Sequence, residues 1–190
     1  MEMNTDLTKR KPKGRAAQSA VRAAVLAALL GSGAAHAAQA HGKLVLSAYA
    51  DRAAGESLLA GRYGEVIARL GARGVEFASD AVAASTNLCV AYVMTRQWNA
   101  AHAVCDEAVE RARLDAAELT IYARELHAEE VALAYSNRAV LEWLSDRKRD
   151  AADDLSRAQA FSPSSEFVTR NLTALRANGV AAPPVAAAHG

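Results

Sequence analysis

The side chains able to do chemistry are few and scattered. His127 stands two residues before Glu129-Glu130, which sets an imidazole near two carboxylates. A zinc hydrolase would need a second His at metal-ligand spacing on the same helix, and none is there. His102 has Asp106 one helical turn later, a pairing that acid–base chemistry could use, but no nucleophile stands beside them. At this spacing the pair is an ordinary helix-surface contact. There is no Gly-rich phosphate loop, no G-x-S-x-G and no Cys/His pairing with a local signature. Glu129, Glu130 and Glu142 read as solvated helix carboxylates. The two cysteines, Cys89 and Cys105, are too few for a structural zinc, which wants four closely spaced ligands. Two roles stay open for them: small apolar core residues, or a disulfide in an oxidising compartment. The chain reads as non-catalytic, with no metal and no cofactor.

The elements that must position these residues are helices. Alanine is abundant, aromatics make up 5%, and no Pro falls between residues 13 and 162. Alanine is the strongest helix former, and the β-branched and aromatic richness of a sheet protein is missing. The 190 residues fit one domain, an all-α fold whose core rests on close alanine contacts more than on large side chains.

The N-terminus is set apart. Lys9, Arg10, Lys11, Lys13, Arg15 and Arg22 precede the apolar run Ala23 to Leu30, followed by the small-residue sites Ala35-His36-Ala37 and Ala38-Gln39-Ala40. A basic region, a short apolar segment and an A-x-A site predict a secretory signal peptide over 1–40, cleaved after Ala37 or Ala40. The run is short of the roughly 20 residues that span a bilayer. The expected location is the periplasm, by general secretion since no Arg pair marks the twin-arginine route. The long basic stretch leaves retention as an inner-membrane anchor as the alternative, and membrane contact is expected only through that segment.

The formal net charge of +1 belongs to that segment. Beyond Ala40 there remain 16 Lys and Arg against 19 Asp and Glu, a net charge of −3. A mildly acidic body with no basic stripe argues against nucleic acid. The run Arg147-Lys148-Arg149 is followed by Asp150, Asp153 and Asp154 and reads as a solvated helix start.

Repetition is the strongest signal. Residues 82–115 carry Asn87-Leu88, Ala91-Tyr92, Trp98, Ala101 and Ala108. Residues 132–165 carry Tyr135, Asn137, Ala139, Ala151, Ala158 and Pro163 in the same register. A weaker copy covers about 47–78, with Gly61-Arg62-Tyr63, Val66 and Leu70, broken by Gly71 and Gly74. Residues 166–178 hold Asn171-Leu172 in register, with Ser165 before the helix and Glu166 in its first turn. This spacing resembles the tetratricopeptide repeat (TPR), a helix–turn–helix unit of 34 residues. The second full copy departs from it at Arg138 and Glu142, and Leu155 and Cys105 replace an aromatic.

The resemblance covers roughly 47–178 and implies an α-α superhelix of antiparallel hairpins over 41–178, ending in a capping helix at 166–178 with a polar outer face. The insert 116–131, AAELTIYARELHAEEV, places Leu119, Tyr122, Ala123 and Leu126 on one face and contains no Gly or Pro. It is expected to lengthen the helices on either side and to bend the stack. Residues 179–190, with Pro183-Pro184 and no charge, read as a flexible tail.

The resemblance also implies a peptide-binding groove lined by the first helix of each repeat, with Asn87, Val90, Met94, Asn137, Val140, Trp143 and Asn171 facing it. An amide offers both a donor and an acceptor. A ladder of Asn87, Asn137 and Asn171 is suited to the backbone of an extended segment, while Met94 and Trp143 would hold an apolar side chain. The competing role for the asparagines is helix-to-helix hydrogen bonding, and for Trp143 a place in the core. A carboxylate clamp is incomplete, because Thr86 and Ser136 stand where cations would be; Arg52 and Arg170 are the only cations nearby. The family pattern places Cys89 and Cys105 on facing helices of one repeat, within reach of a bridge if their Cα atoms lie within roughly 7 Å. The expected function is a protein- or peptide-binding scaffold of the bacterial envelope. The alternatives are a self-associating module that forms a homo-oligomer, and an accessory domain of an envelope enzyme.

Overall fold

Long alanine-rich runs without a breaker become helices, and four of the described helices stop where a residue turns left-handed. The structure, a computed structural model, describes residues 23–27, 43–72, 80–117 and 121–181; for 23–27, 115–117 and 121–126 it describes the backbone alone. Two strands, β1 (Ala23–Ala27) and β2 (Val45–Tyr49), precede the helices α1 (Gly55–Leu59), α2 (Tyr63–Gly71), α3 (Ala81–Met94), α4 (Trp98–Ala117), α5 (Ile121–Leu144), α6 (Lys148–Phe161) and α7 (Glu166–Ala177). The described part is thus predominantly helical, with one two-stranded antiparallel sheet. Most of the expected leader and of the tail, and Leu119 of the insert, lie outside the described residues.

The hairpins share one turn chemistry. Gly61, Arg96, Asp146 and Gly179 all have left-handed φ, at 73°, 58°, 60° and 78°. The next residue's N–H reaches back five positions each time: Arg62 to the Ser57 carbonyl at 2.9 Å, Gln97 to Tyr92 at 3.0 Å, Arg147 to Glu142 at 2.9 Å and Val180 to Leu175 at 3.2 Å. This is the Schellman closure, which satisfies carbonyls that a helix C-terminus leaves orphaned. α1, α3, α5 and α7 therefore end alike. The first three turns lead directly into α2, α4 and α6.

The small residues do what close helix approach requires. Ala91, Ala101, Ala108, Ala139, Ala151 and Ala158 are all buried. α3 packs on α4, α4 on α5, α5 on α6, and α7 on α5 and α6, while α3 and α5 also touch each other. One layer of the stack is thus α3, α5 and α7, and a second is α4 and α6. α3 opens on Asp80, whose carboxylate accepts from the Ala83 N–H at 2.9 Å. The insert extends α4 to 20 and α5 to 24 residues, against 14 for α3 and α6. The Ser165 side chain makes no capping bond to α7, contrary to the sequence expectation. Thr169, Arg170, Thr173 and Arg176 form the exposed face of that helix.

Two further expectations are corrected. The weak first copy does not begin as a helix at residue 47: residues 45–49 are β2, and only α1, five residues long, precedes its turn. The physical reason is that this segment finds backbone partners outside itself, described below. Glu130 and Glu142 are buried rather than solvated.

Cys89 on α3 and Cys105 on α4 are joined, with Cα atoms 4.9 Å apart. The bridge closes a loop of 16 residues. Constraining an unfolded loop of that size stabilises a fold by roughly 3 kcal/mol. Reduction should therefore lower the urea-unfolding free energy by about 2–4 kcal/mol, and alkylation under native conditions should label neither thiol before reduction.

Candidate functional site

Strand β2 lies across α7, α5 and α3, and three asparagines, one per helix, bind its backbone. The Val45 N–H donates to Asn171 Oδ1 at 2.7 Å, and Asn171 Nδ2 donates to the Val45 carbonyl at 2.9 Å. Ser47 is held the same way by Asn137, at 2.8 and 2.7 Å. Tyr49 is held by Asn87, at 2.9 and 3.0 Å. All three amides are fully buried. Because each side chain accepts with one end and donates with the other, its orientation is set by the network.

The pattern follows from strand geometry. Successive residues point their backbone groups to opposite edges, so residues 45, 47 and 49 address one edge. Two residues of strand rise about 6.6–6.8 Å. Packed helix axes lie about 8–10 Å apart. The three amides nevertheless meet residues 45, 47 and 49 in turn, one from each helix. Each amide acts as one rung of a ladder whose other strand is missing. The chain runs from α7 toward α3 along β2, opposite to the order of the helices.

The side chains of β2 complete the core. Leu46 and Ala48 join Leu58, Val66, Leu88, Val90 and Val140 in one cluster. Tyr49 joins Val82, Val131 and Leu133 in the other. Of the groove residues expected from sequence, Asn87, Val90, Asn137, Val140 and Asn171 are thus buried beneath the chain's own strand. Met94 and Trp143 are half-buried, each packed against one of the two core clusters, with the Lys148 ammonium 5.7 Å from the Trp143 ring centre.

The exit of β2 is pinned. Gly55 approaches so closely that a Cβ there would sit 1.8 Å from the Tyr49 carbonyl oxygen. Ala53 and Ala54 are both left-handed, and Asn87 Nδ2 also reaches the Arg52 and Ala53 carbonyls at 3.1 Å each. Arg52 pairs with Asp80 at 2.5 Å and Glu130 at 3.6 Å, and its guanidinium lies 5.1 Å from the Tyr49 ring centre. Burial, with Glu130 and Asp80 nearby, pushes the Tyr49 hydroxyl well above its ordinary range. Arg170 pairs with Glu166 at 2.6 Å. Both cations considered for a carboxylate clamp are thus engaged by acids.

A second cluster brings together a Ser, a His and a Glu, the residue types of a hydrolase. Ser145 Oγ lies 3.3 Å from His102 Nε2, and Glu142 Oε1 lies 3.7 Å from Nδ1. The Arg147 guanidinium stands 2.7 Å from Nδ1 and 3.2 Å from Nε2. Guanidinium only donates, and the tautomer of the ring sets which nitrogen accepts from it. A neutral imidazole has one acceptor nitrogen, so Arg147 competes for the lone pair that a base activating Ser145 would need. Asp106, the sequence-expected partner of His102, instead pairs with Arg138 at 3.0 Å. On α5, His127 Nδ1 lies 2.6 Å from Glu130 Oε2. Among the described residues no group of three or more His, Cys, Asp or Glu is placed to hold a metal, and no helix is long and apolar enough to cross a membrane.

No protein-family model matches the chain, and no curated protein or solved structure matches it.

Two predictions follow from this geometry. Asn137→Ala leaves the buried N–H and C=O of Ser47 without their partner, at about 1–3 kcal/mol per group. Urea unfolding should show a loss of about 2–6 kcal/mol; a loss within error of zero would mean the amide is not bonded to the strand. Burial and then Arg147 hold the His102 pKa below its ordinary value of 6.5, against a smaller upward pull from Asp106. In the window just below that value the unfolded chain binds more protons than the fold, so stability rises with pH there. His102→Gln should flatten that part of the stability–pH curve.

Proposed function

We propose that this protein is a non-catalytic scaffold of the bacterial envelope, a TPR-like stack whose concave face holds extended polypeptide by its backbone. The observation that carries the reading is the ladder of Asn87, Asn137 and Asn171, which binds both polar groups of every second residue and none of their side chains. Such a device selects conformation before sequence. In the chain as described, residues 45–49 are its occupant. The shared turn closures and the buried small residues support the repeat reading. The leader-like N-terminus supports export to the periplasm, where a disulfide is stable.

A partner segment would take the face in place of β2, or a second copy would supply its own β2. Exchange between copies is favoured by the left-handed Ala53 and Ala54. Non-Gly residues in that conformation store strain, and strained hinges promote swapping.

The test uses Ser47→Pro in the full chain, which deletes the N–H that Asn137 accepts. A fluorescent peptide of residues 43–50 should bind the Ser47→Pro chain and should not bind the Ser47→Pro/Asn137→Ala chain. Circular dichroism checks that both remain helical. Equal binding to both, or binding to neither while both are folded, contradicts the reading. A dimer that appears on sizing without added peptide would favour strand exchange.

A further inference from the structure

Strand β2 has two edges, and the asparagines close one. Residues 45, 47 and 49 address the amides, so the N–H and C=O of Leu46 and Ala48 point the other way. In the structure β1 takes that second edge, antiparallel, with Leu26 opposite Leu46 and Ala24 opposite Ala48. β1 is part of the apolar run Ala23 to Leu30 that reads as the core of a leader. Both candidate cleavage sites, after Ala37 and after Ala40, fall between β1 and β2. Processing at either one would remove β1 and keep β2, opening four backbone groups of a strand whose side chains are all buried.

We propose that the outer edge of β2 is a docking site for an extended, small-residue apolar segment of a partner protein, which pairs antiparallel with Leu46 and Ala48 in the place that β1 occupies in the unprocessed chain. The inference rests on the scaffold reading and concerns the state in which the asparagines keep β2: the strand they hold is then the receptor, and the partner adds the next strand beside it rather than replacing it. Unpaired backbone groups on a strand edge are a ready template for another strand. The occupant seen there, AAVLA, gives the chemistry, since Ala, Val and Leu are its only residues. A second copy's β2 fits less well. Paired strands lie about 4.7–4.9 Å apart, and both would be embedded among their own helices, so two stacks would collide. A single slender segment does not have that constraint.

The experiment reads amide hydrogen exchange residue by residue in the full chain. Ala24→Pro/Leu26→Pro removes the two β1 N–H groups that face Ala48 and Leu46. The Leu46 and Ala48 amides should then exchange about tenfold faster or more, while those of Val45, Ser47 and Tyr49 keep their protection. A synthetic peptide of residues 21–29 added to this variant should restore protection at Leu46 and Ala48. The same peptide N-methylated at Ala24 and Leu26 should not. No change at Leu46 and Ala48, either with the prolines or with the peptide, overturns the edge proposal and leaves the asparagine ladder untouched, because Ser47 reports that ladder separately. Loss of protection at all five amides together also overturns it, since the edge would then not open apart from the strand.

Discussion

A backbone buried away from water must have partners for every N–H and C=O, and in this protein three side-chain amides meet that demand where a neighbouring strand would ordinarily do so. Val45, Ser47 and Tyr49 are buried in the helix stack and form their inward hydrogen bonds to Asn171, Asn137 and Asn87. The arrangement constrains everything around it. The amides must recur at the two-residue repeat of a strand, so the helices that bear them must hold fixed spacing and rotation. Asparagine alone has the short side chain with a donor and an acceptor side by side; Asp would set an acceptor against a carbonyl, and Gln would project an additional methylene from the helix.

The rest of the fold serves that spacing. Identical Schellman closures after α1, α3, α5 and α7 set how each helix hands the chain on. Buried alanines let neighbouring backbones approach without pushing the faces apart. The Cys89–Cys105 bridge ties α3 to α4 at the Asn87 end. Farther along, Arg138 binds Asp154 through two nitrogens at 2.7 and 2.8 Å and reaches Asp106 at 3.0 Å, linking α5 to both α6 and α4. This network accounts for Arg138, a departure from the repeat pattern: a cation at a half-buried position is acceptable because two acids on flanking helices meet it.

Much of the helical part was legible in the sequence, because helix propensity, small-residue spacing and the recurrence of Asn are local or periodic signals. Asn87, Asn137 and Asn171 stood out for the chemistry of an amide ladder, and the extension of α4 and α5 followed from an insert with no breaker. The strand was not legible. Residues 44–49, LVLSAY, contain one β-branched residue and sit where the first repeat should open as a helix. Their conformation is imposed by partners 38 to 126 positions away, which no local pattern reports. The buried state of Glu142 was likewise hidden, since it depends on Arg147 folding back over the α5–α6 turn. The signal that points to β2 is a mismatch: three backbone-binding amides need an extended client, and the chain has a short apolar segment just before its first turn.

The functional picture we propose follows from the same constraint. A face that binds backbone rather than side chains accepts many sequences and one conformation, which suits a scaffold. The claim at its centre is that the three amides hold residues 45–49, and the most direct measurement is the nuclear Overhauser contacts of the side-chain amide protons. The account predicts contacts from Asn171 to Val45, from Asn137 to Ser47 and from Asn87 to Tyr49, in that reversed order along the chain. Side-chain amide protons that exchange freely with water, or that contact only neighbouring helices, would contradict it.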